Sequence, residues 1–477
     1  MIEEFEYKGI WWLPDKPERQ ISGTLRFTPA EGANLELIGS FRSIEDINTI
    51  FAPGIILGES SNGKSITLNE CIETNRTFSF PGSQTSSFYA NKIFVGVHFQ
   101  KEEDIQFKNF SVRFSHLDEW VNISGFSIEY KWEDVEVIIK HKLPPPFQAN
   151  INDSLRVLIN FEPIWPTSSF VQKEASIKQN TWIQLESAED KPFEYYEKVM
   201  NHIQNFLSLG ITEPVLPIAI EGITKANKEM SGDKLHYPPA QIFWKLADTP
   251  KASKTLLPPE MLFTFKDISN RFEIFLRNWF KKAELLEPIY NLYFGTLYNP
   301  RMYLEHRFLS LVQAVESYHQ RVCGGEYLQE KEYRPVYEAL VKAIPSEIEE
   351  DFRSSLEKRL KYGNEYSLRK RLKEIFEKYS VILSRFIEDK ENFIERVADT
   401  RNYLTHWREG LKEHAAQGEE LYRLTQKLNM ILEICLLAEL GFNSEEIKDL
   451  FLKKHQREAI QEQNSMNRFS NKSGVIS

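Results

Sequence analysis

The chain has 477 residues, 41% hydrophobic and 27% charged, which is enough apolar content for two or three folded domains and too much for a disordered chain. Its net charge of −10 argues against a protein whose whole surface grips nucleic acid, so any such contact is expected to be local. No apolar run reaches the roughly 18 residues of a membrane span. The acidic start, MIEEFEYKGI, gives no export signal, so a cytoplasmic protein with no membrane partner is expected. Cys71, Cys323 and Cys435 are far apart, lack metal spacing and read as reduced core thiols.

Residues 1–190 read as all-β. GTLRF, LELIG, KSITL, KIFVGVHF, FSVRF, FSIEY, VEVIIK, LRVLINF and WIQLE recur about every ten residues between turn signals, which predicts a sandwich or barrel. Pro144–Pro146 interrupts the run as a possible sub-boundary. Gly58 to Ser65, GESSNGKS, fits the phosphate-loop pattern G-x-x-x-x-G-K-[ST]. A phosphate loop needs a following helix, yet Ser65-Ile66-Thr67-Leu68 reads as a strand. The favoured reading is a hairpin with Asn62-Gly63 as a two-residue turn, and a nucleotide-gated switch is its rival. His98 and His116 read as structural histidines.

Residues 191–255 read as a small α+β layer and linker. FEYYEKVMNHIQNFLSLG is a helix stopped at Gly210, PVLPIAIEGIT a strand, HYPPAQIFWKL an extended piece, and 246–260 a linker. Residues 256–455 read as an all-α bundle of four or five antiparallel helices, and 456–477 as a polar tail. On the helix YLEHRFLSLVQAVESYHQRV, the residues Phe308, Leu311, Val312, Val315 and His319 form a buried face flanked by Glu316. The last helix, LYRLTQKLNMILEICLLAEL, stops at Gly441. The fold class expected is thus multidomain α+β, a β-rich N-terminal half followed by a helical bundle.

Within ENFIERVADTRNYLTHW, an apolar stripe runs through Ile394, Val397, Ala398, Leu404 and Thr405. At about 100° per residue Arg401 falls inside that stripe, with Asn402 and His406 together at its edge. An inward arginine is costly unless an acid such as Glu316 or Asp399 pairs with it. The spacing Arg-x(4–6)-His also occurs at Arg301…His306 and Arg408…His414. The first lacks an Asn after the Arg, and the second contains Gly410. The nearby run Arg353–Lys378 holds nine Lys/Arg against four Asp/Glu, with Tyr362, Tyr366 and Phe376 interleaved. Arg353, Lys358, Arg359, Arg369, Lys370 and Arg371 are its candidate RNA contacts, and a solvated face with i,i+4 pairs is the bland alternative.

Arg401-Asn402-x-x-x-His406 late in an all-helical domain resembles the motif of HEPN ribonucleases. The whole chain resembles ApeA-type proteins, through Gly9-Ile-Trp11-Trp12-Leu13-Pro14, Gly23-Thr-Leu25, Leu35 to Gly39, Gly96-Val-His98-Phe99 and Leu117-Asp118-Glu119-Trp120. The ApeA-type pattern at Gly58 is similarly strand–turn–strand. The resemblance implies a metal-free, cofactor-free endoribonuclease acting in anti-phage abortive infection on host or phage RNA, with tRNA as a candidate. It implies a homodimer through the bundle, a possible higher oligomer, and a β-rich half that senses a phage-derived trigger. It assigns catalysis to Arg401, Asn402 and His406, with Glu316 holding the Arg401 rotamer. A catalytically silent HEPN module that binds RNA or protein is the competing reading.

Overall fold

The computed structural model describes residues 3–42, 50–78, 82, 84–166, 173–246, 256–407, 409–454 and 456. The central linker residues 247–255, Arg408 of the third Arg…His pair and the tail from 457 onward lie outside the described residues. The chain divides into two compact units, Met1–Arg277 and Asn278–Ser477.

The first unit is built on strands whose alternate side chains face a common interior. β1 (Phe5–Leu13), β2 (Lys16–Thr28), β3 (Gly32–Leu37), β4 (Gly54–Ser60), β5 (Ser65–Thr77) and β6 (Thr85–Val95) pair antiparallel in the order β6-β3-β2-β1-β4-β5. β5 then pairs back to β6, which closes a six-stranded barrel. Trp11, Leu25, Leu35, Ile56, Leu68 and Phe88, all fully buried, fill it. Closure satisfies the ladder groups that an open edge would expose.

The chain continues through β7 (Gln106–Phe114), α1 (Leu117–Val121), the separate hairpin β8 (Phe126–Lys131) and β9 (Glu136–His141), then β10 (Phe147–Asn152), β11 (Leu155–Ile164) and β12 (Lys178–Pro192). After α2 (Phe193–Ile211) come β13 (Pro217–Ile223), the short pair β14 (Glu229–Ser231) and β15 (Lys234–His236), and β16 (Ala240–Trp244). A sheet in the order β10-β11-β12-β7-β13-β16 joins the barrel at β6. One edge of β6 pairs with β5, while the other pairs with β3 over Ser86–Ala90 and with β16 over Lys92–Val95. The helix α2 lies on this sheet through Tyr196, which stacks on Phe110 and donates its hydroxyl to the Lys108 carbonyl at 2.9 Å.

Three local expectations are corrected here. Gly210 does not stop α2, which runs on to Ile211 and is capped by Thr212 at φ +61°. A Cβ on Gly210 would come 2.8 Å from Trp120 Nε1, so the glycine is there for close packing. The turn between β4 and β5 is longer than two residues, because the Ser60 N–H donates to the Lys64 carbonyl and Gly63 takes the left-handed φ of +77°. It is still a hairpin, Glu59 facing Ser65, with strand rather than helix after it. The geometry that a nucleotide site at Gly58–Ser65 needs is therefore missing. Cys71 and Cys435 are buried as expected, but Cys323 is exposed, because it lies just past a helix end. His98 is structural, its Nε2 lying 2.8 Å from the Gly58 carbonyl.

After α3 (Phe265–Ile268) and α4 (Phe272–Lys281), the second unit consists of α5 (Ala283–Tyr298), α6 (Leu304–Val322), α7 (Glu330–Lys342), α8 (Glu350–Lys361), α9 (Leu368–Lys378), α10 (Ser380–Leu383), α11 (Lys390–His406) and α12 (Gly418–Leu440), with 444–454 also helical. α6 packs against α5, α9, α11 and α12. Its residues Phe308, Leu311, Val312, Val315 and His319 are buried, as their spacing predicts. From Met430 to Leu437 α12 is apolar nearly all round and correspondingly buried, and Gly441 ends the helix at φ +115°. Inside the bundle the Tyr318 hydroxyl meets Tyr379 Oη at 3.0 Å and donates to Glu439 at 2.9 Å. α7 and α8 bury no residue at all, and α7 is not among the helices expected from the sequence.

Candidate active site

The motif helix α11 starts from Asp389, whose side chain accepts the Asn392 N–H at 2.9 Å. It buries Phe393, Ile394, Val397, Ala398, Thr400 and Leu404. Thr400 is inward because its Oγ1 accepts the Ala416 N–H at 2.9 Å. Thr405, expected in the stripe, is exposed and donates to the Arg401 carbonyl at 2.7 Å. The helix ends at His406, and Trp407 follows at φ +50° with 65% of its surface exposed.

Arg401 is not inside the stripe. Its side chain is 37% exposed, and Nη2 stands 3.7 Å from Glu316 Oε2 on α6. Its Nη1 donates to Asn402 Oδ1 at 3.3 Å. On the last turns of α11 the cover thins out, so a stripe position there becomes a rim position. Of the two acids expected as its partner, Glu316 stands near it, while Asp399 accepts Arg369 at 2.7 Å. His406 is exposed and, among the described residues, free of any hydrogen bond or ion pair.

Glu316 is held between two cations. Burial pushes its carboxyl pKa up, and the charges of Arg401 and Arg371 pull it back. Arg371 on α9 is 5% exposed, donates Nε–H to the Tyr366 carbonyl at 3.1 Å and, among the described residues, leaves Nη1 without a hydrogen-bond partner. Next to it His319 is fully buried, with Nε2 2.9 Å from Glu374 Oε2, and burial lowers its pKa. Lys370 holds the other Glu374 oxygen at 3.0 Å.

Arg401, Asn402 and Glu316 are thus brought together, with His406 one helical turn further along. The six basic candidates are not brought together. Arg353 pairs with Glu357 at 3.2 Å, Arg369 with Glu395 and Asp399, Lys370 with Glu374, and Arg371 is buried. Lys358 and Arg359 alone of the six are exposed on α8 and without an ion pair among the described residues. Arg301 and His306 are exposed around the start of α6. What sequence reasoning missed is the burial of Arg371 and the role of Glu374. Lys370 four residues before Glu374, opposite an inward His319, was the available signal.

A family model described as ApeA N-terminal domain 1 matches residues 6–279, more than half of the chain. The chain belongs to the ApeA family. A second model, Apea-like HEPN, matches residues 309–446, which takes in most of α6 and everything to the end of α12. The chain thus has a β-rich N-terminal half with a six-stranded barrel, matched by the first model, followed by a helical region matched by the HEPN model. The HEPN match sets it among nuclease-type defence proteins. No curated protein and no solved structure matches it. Among the described residues no helix is long and apolar enough to cross a membrane, and no group of three or more His, Cys, Asp or Glu could hold a metal ion.

Proposed function

We propose that this ApeA protein is a metal-independent endoribonuclease whose chemistry is done by Arg401, Asn402 and His406. The observation that supports it is the end of α11 within the HEPN region. A guanidinium is held only loosely by Glu316, and a free, exposed histidine lies one turn away. The RNA 2′-OH is the nucleophile. His406 takes its proton, or protonates the leaving 5′-oxygen. Arg401 stabilises the charge that builds on the phosphorane. Asn402 orients Arg401 or the phosphate through its amide. Glu316 keeps the guanidinium in place at a distance too long for a hydrogen bond, so an incoming phosphate can displace it at little cost. The products are a 2′,3′-cyclic phosphate and a 5′-OH.

In the assembled form proposed, two HEPN units meet about a two-fold axis, so that each site contains two Arg401 and two His406 side chains. The role proposed is abortive infection, in which a phage-derived trigger acting through the β-rich half releases cleavage of host or phage RNA, tRNA being the first substrate to try. Lys358 and Arg359 are the backbone contacts that the free charges favour.

The test is cleavage of total RNA by wild type and His406→Ala in EDTA, with and without phage extract. Cleavage by wild type alone, leaving cyclic phosphate ends, is the expected result. Equal cleavage by the variant, or loss of all cleavage in EDTA, overturns the proposal. Binding of RNA without cleavage under any condition would favour the silent HEPN module.

A further inference from the structure

The hairpin β8–β9 pairs with no other strand among the described residues. Its register sets Phe126 opposite His141, Ile128 opposite Ile139 and Tyr130 opposite Val137. With Trp132 and Val135 at the tip, this face is apolar apart from His141 at its base. The other face carries the ion pairs Lys131–Glu136 at 2.7 Å and Lys140–Glu129 at 3.9 Å. Most of this apolar face is uncovered: Ile128, Tyr130, Val137 and Ile139 are 52–54% exposed, Trp132 82% and Val135 93%, while Phe126 and His141 at the base are half-buried, with Trp165 against the His141 ring at 5.7 Å. A two-stranded sheet is marginal in water by itself, and a contiguous apolar face of this kind marks a contact.

The charges at its two ends select the occupant. The tip carries Glu133 and Asp134, both exposed and without an ion pair among the described residues. The base carries Lys142, exposed and likewise unpaired, beside the Phe126–His141 ring contact at 4.4 Å. Laid face to face and antiparallel on a second copy, the acidic tip comes over Lys142. Trp132 then lies on Phe126, and Val135 on His141. Laid parallel, the two acidic tips collide. Insertion of the tip into lipid would carry two carboxylates with it, at a cost of a few kcal/mol each. We propose that this hairpin is an isologous contact between two copies of the chain, with Ile128 and Tyr130 of each crossing near the two-fold axis. The contact lies in the β-rich unit and does not depend on the ribonuclease reading. Together with a two-fold contact of HEPN units, it would give an assembly larger than a dimer, or a closed dimer with two contacts.

The test uses the full chain with Cys323→Ser, to remove the exposed native thiol. A cysteine replacing Val137 lies about one residue step, roughly 3.4 Å along the strand, from the axis. A short bis-maleimide should join Val137→Cys into a covalent dimer, and should not join Glu129→Cys on the opposite face. Adding Ile139→Lys to Val137→Cys should abolish the cross-link. In the otherwise native chain, Ile139→Lys should weaken self-association at least tenfold by sedimentation velocity, with the melting temperature unchanged. Cross-linking equal at the two positions, or association unaltered by Ile139→Lys, overturns the proposal. Loss in that variant of wild-type co-sedimentation with phosphatidylcholine vesicles, without any change in mass, overturns it in favour of a lipid contact. A HEPN dimer that fails to form would leave the Val137→Cys result standing, so the two proposals fail separately.

Discussion

Two stretches of this chain match a functional pattern letter for letter, and the structure treats them oppositely. In Gly58–Ser65 the polar groups are used up locally. Ser60 Oγ donates to Asn62 Oδ1 at 2.6 Å and accepts the Lys64 N–H at 2.9 Å, and Lys64 Nζ reaches Tyr7 Oη at 3.1 Å. In Arg401–His406 the nearest acid stands off at 3.7 Å and the histidine is uncommitted. A pattern of residue types is chemistry only when the fold leaves those groups unspent, and the spending depends on neighbours that no spacing rule contains.

The largest effect should come from the second stretch. His406→Ala and Arg401→Ala should each lower RNA cleavage by about 10²–10⁴-fold. Both side chains are at the surface, so the melting temperature should hardly move. Retained cleavage in either variant would erase the contrast between the stretches. Arg371→Ala attacks the support behind the site. It removes a buried guanidinium beside Glu316, should destabilise the chain by about 3 kcal/mol in urea unfolding, and should push the Glu316 carboxyl pKa higher still. Gly58→Ala sharpens the other side of the comparison. Its Cβ would come 2.2 Å from the buried Trp11 ring, which should cost about 2 kcal/mol through packing. Lys64→Ala should change neither stability beyond about 0.5 kcal/mol nor ATP binding, expected to be nil by calorimetry in wild type and variant alike.

The smallest effect expected is a pH dependence. Burial lowers the pKa of His319 in the folded chain from the usual value near 6.5, against the opposing pull of Glu374. Stability is then greatest above the unfolded value and is lost as the pH falls through it toward the lowered folded value, since the unfolded state takes up the proton first. Urea unfolding at pH 7.5 and 5.5 should show the loss, and His319→Gln should flatten it.

How much of this was legible in the sequence varies with the reach of the forces involved. Strand alternation and the core face of α6 are local periodicities, and GTLRF, KSITL and Phe308 to His319 fell where expected. Barrel closure through β5 and β6, and the addition of β16 to β6, are pairings that periodicity does not encode. At the site, the need for an acid beside Arg401 was legible, with Glu316 one of two candidates, whereas the exposure of Arg401 was not. A helical wheel assumes cover along the whole helix, and α11 loses its cover in the last turns. Arg371 misled in the opposite sense. It was read as a solvent-facing charge within a basic run, yet α9 turns it inward toward Tyr366 and Glu316. α7 carries a helical apolar rhythm in Tyr333, Val336, Tyr337, Leu340 and Val341, yet it buries none of them.

The forked strand β6 has a consequence for biosynthesis. The six barrel strands are complete once Val95 has been made, but the edge of Lys92–Val95 that receives β16 must wait for Gln241–Trp244, roughly 150 residues later. At about 5–20 residues per second of translation, that edge is open on the ribosome for on the order of ten seconds or more. During that interval the nascent barrel presents a short unpaired β edge to every neighbouring chain, which makes this strand the place where slow or stalled synthesis would first show as aggregation.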